Sequence, residues 1–155
     1  MREHIEEASR AVGLTAADLA PVRPTQYKQI LGRILDSFTT LGSRGEDSLW
    51  LWESFRDPKY PLQVERGHKL LNRLVPPGQR VWFATEDWDG RQRHGNYWIF
   101  EGSIEAVKAV LDEFFLFEYY VVEKSYAWLL CETHHNMLIG VGESVVRRMK
   151  AGSSG

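Results

Sequence analysis

A chain of 155 residues, 43% of them hydrophobic and 26% charged, has the size and composition of one folded domain and is far from a disordered segment. Its 19 basic and 21 acidic residues give a net charge of -2, so no overall field favours a polyanion and nucleic-acid binding is not expected. One cysteine excludes an intrachain disulfide and a cysteine-cluster zinc site. No apolar run has the length of a membrane span, and the acid-bearing N-terminus lacks the apolar core of a signal peptide, so the cytoplasm is the expected compartment.

In chain order, Ile5, Ala8 and Val12 share one side of a helix over residues 3–12 that Gly13 is placed to end, and Thr15 with Asp18 forms a capping-box-like start for a short turn. After Pro21 and Pro24, Thr25 can cap a clearer helix carrying Ile30, Leu31, Ile34, Leu35, Phe38 and Leu41 at helical spacing up to Gly42. Residues 43–48 read as a loop. Residues 49–55, with Trp50 and Trp52, fit either a short strand or an irregular apolar patch, and spacing leaves open whether those two rings are core or exposed. Tyr60 and Pro61 can open another helix, with Gly67, Leu70, Leu71 and Leu74 inward and Pro76 and Pro77 stopping it.

The second half changes to strand-like patterning. Residues 80–86 and 96–101 read as strands, Ser103 can cap a helix bearing Ile104, Val107, Val110, Leu111 and Phe114, and strands follow at about 116–123 and 126–133 before an apolar run from Met137 to Val141. Strand, helix, strand in one sheet implies a parallel crossover, and the turn near Lys124 and Ser125 implies an antiparallel hairpin. The expected fold is a single α+β domain over residues 1–150, with a mainly helical N-terminal half packed on a mixed sheet of about five strands containing one βαβ crossover. Residues 151–155 read as a flexible tail.

Three groups of residues could carry function. The run Cys131, Glu132, Thr133, His134, His135 and Asn136 concentrates a thiol, a carboxylate and two imidazoles. In an extended strand Glu132 and His134 share one face and Cys131, Thr133 and His135 the other. Glu132 and His134 could supply two ligands of a zinc site, yet no second motif supplies more, so neither a metal nor any other cofactor is expected. Cys131 and His135 would lie roughly 13 Å apart, too far for thiolate activation, and Cys131 continues an apolar series as a small buried residue does.

The second group is the 87–95 loop, where Asp87, Trp88, Asp89, Arg91, Arg93 and His94 gather between two apolar strands in a way that suits either binding or a solvated hairpin turn. The third is the acidic series Glu101, Glu105, Asp112, Glu113, Glu118 and Glu123, which reads as a solvated face or as a patch that steers a basic partner.

The run Phe117, Glu118, Tyr119, Tyr120, Val121, Val122, then Trp128 and Leu129, then Glu132, Thr133, His134, His135 resembles a pattern in small uncharacterised bacterial proteins. Trp82 and Phe83 with Glu86, and Tyr97 and Trp98 with Glu101 and Gly102, fit the same pattern. The resemblance implies no activity; by analogy alone such proteins include immunity proteins and antitoxins. The expected function is therefore a non-enzymatic module that binds a protein partner, with a homodimer as a further possibility. The competing expectation is a small hydrolase or metal-dependent enzyme using Glu132 and His134, with His94 or Glu86 brought in from a neighbouring strand.

Overall fold

The computed structural model describes every residue except 48–50, 88–91, 93, 94, 115–117, 154 and 155; the side chains of residues 43, 46, 47 and 153 are likewise outside the description. Helix α1 (Arg2–Ala11) buries Ile5 and Ala8 and stops before Gly13, whose φ of 79° a glycine adopts without a side-chain clash. The Thr15 N–H then donates to the Asp18 carboxylate at 2.8 Å in the expected short turn.

Strand β1 (Leu19–Pro21) leads into α2 (Pro24–Phe38), which buries Tyr27, Ile30, Leu31, Ile34, Leu35 and Phe38 on one stripe. Pro24 itself occupies the first turn, where its missing N–H costs nothing, so Thr25 is inside the helix rather than its cap. Each fully buried side chain of that stripe contributes about 1.5–3 kcal/mol. Leu41 falls outside the helix, because the chain turns extended at Thr39 and bridges Phe55.

Of the segment expected as a strand or apolar patch, Leu51–Ser54 forms a 3-10 turn with Leu51 buried. Trp50 lies outside the described residues, and Trp52 is half-buried. The expected helix opening at Tyr60 is instead strand β2 (Lys59–Gln63), followed by a 3-10 turn (Gly67–Leu70) and one helical turn, α3 (Leu71–Leu74). Then come β3 (Arg80–Glu86), β4 (Tyr97–Ser103), α4 (Ile104–Glu113), β5 (Tyr119–Glu123), β6 (Leu129–Glu132), β7 (Met137–Val141) and α5 (Glu143–Ser153). Ser103 caps α4 as expected, its hydroxyl accepting from the Ala106 N–H at 3.2 Å.

The strands form one sheet of seven in the order β1-β4-β3-β5-β6-β7-β2, with every neighbouring pair antiparallel. This corrects the expected mixed sheet of about five strands. A helix does carry the chain from β4 to β5, but β3 lies between them and pairs with both, so no parallel neighbours arise. The N-terminal half also supplies strands: β1 and β2 are the two edges of the sheet, and Pro21 and Pro61 deprive them of N–H groups that could recruit another strand.

Helices cover both faces. On one, α1, α3, α4 and α5 enclose Val81, Phe83, Phe100, Tyr119, Val121, Leu130 and Leu138. On the other, α2 and the Leu51–Ser54 turn enclose Ala84, Tyr97, Ile99, Tyr120, Val122, Leu129, Cys131 and Ile139. Gly142 starts α5 at φ 106°, and a Cβ there would strike the backbone around Ala127 and Trp128, so this junction requires glycine.

Candidate functional site

The polar run from Cys131 to Asn136 sits where β6 ends, and its residues part company there. The strand stops at Glu132 and residues 133–136 make a turn, closed by the Thr133 N–H on the Met137 carbonyl at 2.9 Å and the Asn136 N–H on the Thr133 carbonyl at 3.2 Å. Asn136 takes the left-handed conformation at φ 59°, which asparagine tolerates better than most residues. Strand alternation therefore does not extend from Glu132 to His134, and the face expected to unite them is absent.

Glu132 is fully buried on the α4 side. Its carboxylate accepts from the Gly67 N–H at 2.7 Å, the His68 N–H at 3.2 Å and the Tyr119 hydroxyl at 2.7 Å. Arg66 in the left-handed region (φ 54°) turns the start of the 3-10 turn so that its first amides meet the carboxylate. An internal acid thus occupies the kind of amide cradle that binds anions elsewhere. Burial first, and then Glu132, holds the Tyr119 phenol well above its ordinary range, so it remains a donor. His68 extends this link to α4 through its ring nitrogen and Asp112, 3.0 Å apart. With three donors satisfied, Glu132 joins β6, β5 and the 67–70 turn.

His134 turns to a different acid. Glu118 is 3% exposed, has φ 66°, and accepts from the His134 backbone N–H at 2.9 Å. The same Glu118 oxygen also pairs with Nδ1 of the His134 ring, while the second oxygen is buried with no hydrogen-bond partner among the described residues. Glu118 was expected to belong to an exposed acidic face; instead it lies under the turn. The His134 side chain is 41% exposed, and the His135 ring stands 3.9 Å from it, centre to centre. The Trp52 ring meets both imidazoles edge-on, at 6.1 and 5.6 Å. Trp52 is itself held by its segment, since the Leu51 N–H donates to the Tyr120 hydroxyl at 3.2 Å.

The α2 side of the sheet also buries polar groups at this end. Glu86, also buried, ends β3 opposite Tyr97, and Tyr97 and Tyr120 stack edge to face at 6.2 Å. Burial, then the nearby Glu86 and other groups, pushes the Tyr97 phenol far up. Burial raises the Cys131 thiol well above its usual value, with Glu118, Glu86 and Glu132 adding to the effect. Cys131 is fully buried and remains a thiol, as its apolar sequence context suggested. We expect the folded protein to resist a thiol reagent such as DTNB and to react stoichiometrically in denaturant; rapid labelling of the native state would contradict this burial.

Of the 87–95 loop, only Asp87, Gln92 and Gly95 are described, so Trp88, Asp89, Arg91, Arg93 and His94 lie outside the description. Asp87 shapes the hairpin: one carboxylate oxygen accepts from the Trp98 indole at 2.7 Å and the other from the Gln92 N–H at 2.8 Å. Its N–H bonds the Asn96 carbonyl at 2.8 Å, closing the hairpin at the sheet end that also carries Glu86 and the 133–136 turn.

The acidic series does not assemble into one patch. Glu101 binds Lys124 at 2.7 Å and Arg80 at 3.0 Å. Asp112 binds Lys108 at 2.9 Å, Glu105 accepts from the Gly78 N–H at 2.9 Å, and Glu123 accepts from the Ser125 and Ala127 amides. Lys124 first, by its hydrogen bond, holds the Glu101 carboxyl below its ordinary value of 4.5. A lowered folded value stabilises the fold above pH 4.5, and that contribution disappears as pH falls through the lowered value. Glu101→Gln should therefore lower stability by up to about 1 kcal/mol at pH 7 and by nothing in strong acid, read from unfolding midpoints across pH.

Among the described residues no group of three or more His, Cys, Asp or Glu could hold a metal ion, and no helix is long and apolar enough to cross a membrane. Fold and site together define an α+β protein with one seven-stranded antiparallel sheet, covered by helices on both faces and bearing a buried-acid, exposed-imidazole turn at one end. The chain belongs to a family of unknown function, DUF6756, whose profile matches residues 1–153. No curated protein and no solved structure matches it.

Proposed function

We propose that the protein is a binding module for another protein, immunity- or antitoxin-like in a bacterial cytoplasm, and that it recognises its partner with the 133–136 turn and the adjoining edge of Trp52. The supporting observation is the pair of exposed imidazoles, of which His134 is fixed from below by Glu118 and His135 stands against the His134 ring. Aromatic groups held rigidly at a surface lose little side-chain freedom on association, which is why such residues dominate binding energies. In this reading the loop residues Trp88, Asp89, Arg91, Arg93 and His94, which follow Asp87 in the chain, also take part in binding. Glu101, Glu105, Asp112, Glu118 and Glu123 are engaged locally, so the acidic series has no steering role in this reading.

The test uses the tagged protein as bait in a lysate of its own cells. Wild type and Glu101→Gln/Glu113→Gln should retain the same protein, and the Trp52→Ala/His134→Ala/His135→Ala variant should lose it; the reverse pattern would move the interface to the acidic side.

A second reading is favoured by one observation. A carboxylate on Nδ1 of a histidine is the arrangement that orients a general base or a metal ligand, and here Glu118, not the expected Glu132, is the carboxylate beside His134. A stoichiometric metal in the purified protein that disappears in His134→Ala would establish this enzyme-like alternative.

A further inference from the structure

Away from the 133–136 turn, a concavity of about 160 Å³ lies between β2, the 67–74 segment and the end of α5. Leu62, Leu70, Leu74 and Met149 form its apolar lining, and Arg73, Arg148 and Gly152 complete it. Among the described residues no acidic side chain lines it. Arg148 lies over the Trp128 ring, with its guanidinium carbon 5.7 Å from the ring centre, and its Nε is buried without a hydrogen-bond partner. Neither Arg73 nor Arg148 forms an ion pair or hydrogen bond with a described residue, although elsewhere in the chain basic groups such as Arg80, Lys108 and Lys124 have found carboxylates.

Two guanidiniums without carboxylates beside an apolar hollow are the two halves of a site for an amphipathic anion. The C-terminal end of α5 also reaches this rim, but a helix end carries only about half a negative charge, so two full positive charges set the sign. The volume equals about five waters at roughly 30 Å³ each and falls below the roughly 300 Å³ where sites for drug-sized ligands begin. Size therefore selects a short apolar tail.

We infer that this pocket binds a small aliphatic monocarboxylate, its tail among Leu62, Leu70, Leu74 and Met149 and its carboxylate on Arg73 and Arg148. The inference goes beyond the partner-binding reading and does not depend on it, because the two sites share no residue. Hexanoate is a suitable probe, with hexan-1-ol as its uncharged counterpart, and binding is followed through the Met149 methyl resonance.

Hexanoate should shift that resonance saturably and hexan-1-ol should bind about tenfold more weakly or worse, the equivalent of losing one charge-assisted hydrogen bond. Arg148→Gln should weaken hexanoate about tenfold and leave hexan-1-ol unchanged. Arg73 is exposed, so Arg73→Gln keeps the fold intact, and it should also weaken hexanoate selectively even if loss of the Trp128 contact unfolds the Arg148 variant. Equal titration by hexanoate and hexan-1-ol, or unchanged hexanoate affinity in Arg73→Gln, would overturn the inference. So would tighter binding of a peptide with a C-terminal leucine carboxylate, since the site would then read chain ends.

Discussion

Glu132→Ala should cost about 3–5 kcal/mol of stability, a large share of the roughly 5–15 kcal/mol that holds a domain folded. Removing the carboxylate strands three buried donors, the Tyr119 hydroxyl and the Gly67 and His68 amides, and leaves a void among them. Glu132→Gln retains an acceptor and should lose about 1–3 kcal/mol, while Tyr119→Phe removes one donor and should lose about 1–2 kcal/mol. Because the two side chains touch, the double variant should be more stable than the sum of the single losses predicts. Urea unfolding of the four proteins checks this. A loss below about 0.5 kcal/mol in Glu132→Ala would mean that the carboxylate is not structural.

Glu118→Gln should behave differently, with a modest effect on stability and a large one on recognition. This acid is also buried, but only one of its oxygens has partners among the described residues, so the desolvation it carries offsets much of what its hydrogen bonds contribute. We expect a stability loss of about 1–2 kcal/mol. The His134 ring loses its charged anchor and the turn loosens, so partner affinity should fall about tenfold or more, consistent with a lost hydrogen bond to a charged group. Faster amide hydrogen exchange at His134 and His135 would report the loosening directly. Glu118→Ala should be worse than Glu118→Gly in stability, since alanine at φ 66° bears a backbone penalty of roughly 1–2 kcal/mol that glycine escapes.

The contrast between these two acids explains what could be read from the sequence. Strand β3 emerges with the expected bounds, and β4, α4 and β7 lie close to theirs, because their apolar spacing and the Ser103 cap are local signals. Strands β1 and β2 were hidden: one has three residues, and the proline in the other reads as a helix start while serving to blunt a sheet edge. Helix α5 gave no expected element, since only Val145, Val146 and Met149 mark its inner side and it includes a glycine near its end.

At the site, the end of β6 was the decisive feature. Asn136, a residue that tolerates the left-handed conformation it takes here, is the sign of a turn in the sequence, and only a chain extended through it would bring Glu132 and His134 to one face. Glu118 stands in the sequence as a lone acid amid Phe117, Tyr119, Tyr120, Val121 and Val122, the pattern of a buried carboxylate, although its charge alone places it with the surface acids. The partner of such an acid is set by strand register, which spacing within one segment does not contain.

The most direct measurement pairs partner retention with unfolding for His134→Ala. The account predicts a stability loss of no more than about 1–2 kcal/mol, since the turn keeps its backbone bond to Glu118, together with at least about a tenfold loss of the captured partner. Partner retention equal to wild type in a folded His134→Ala protein would contradict it.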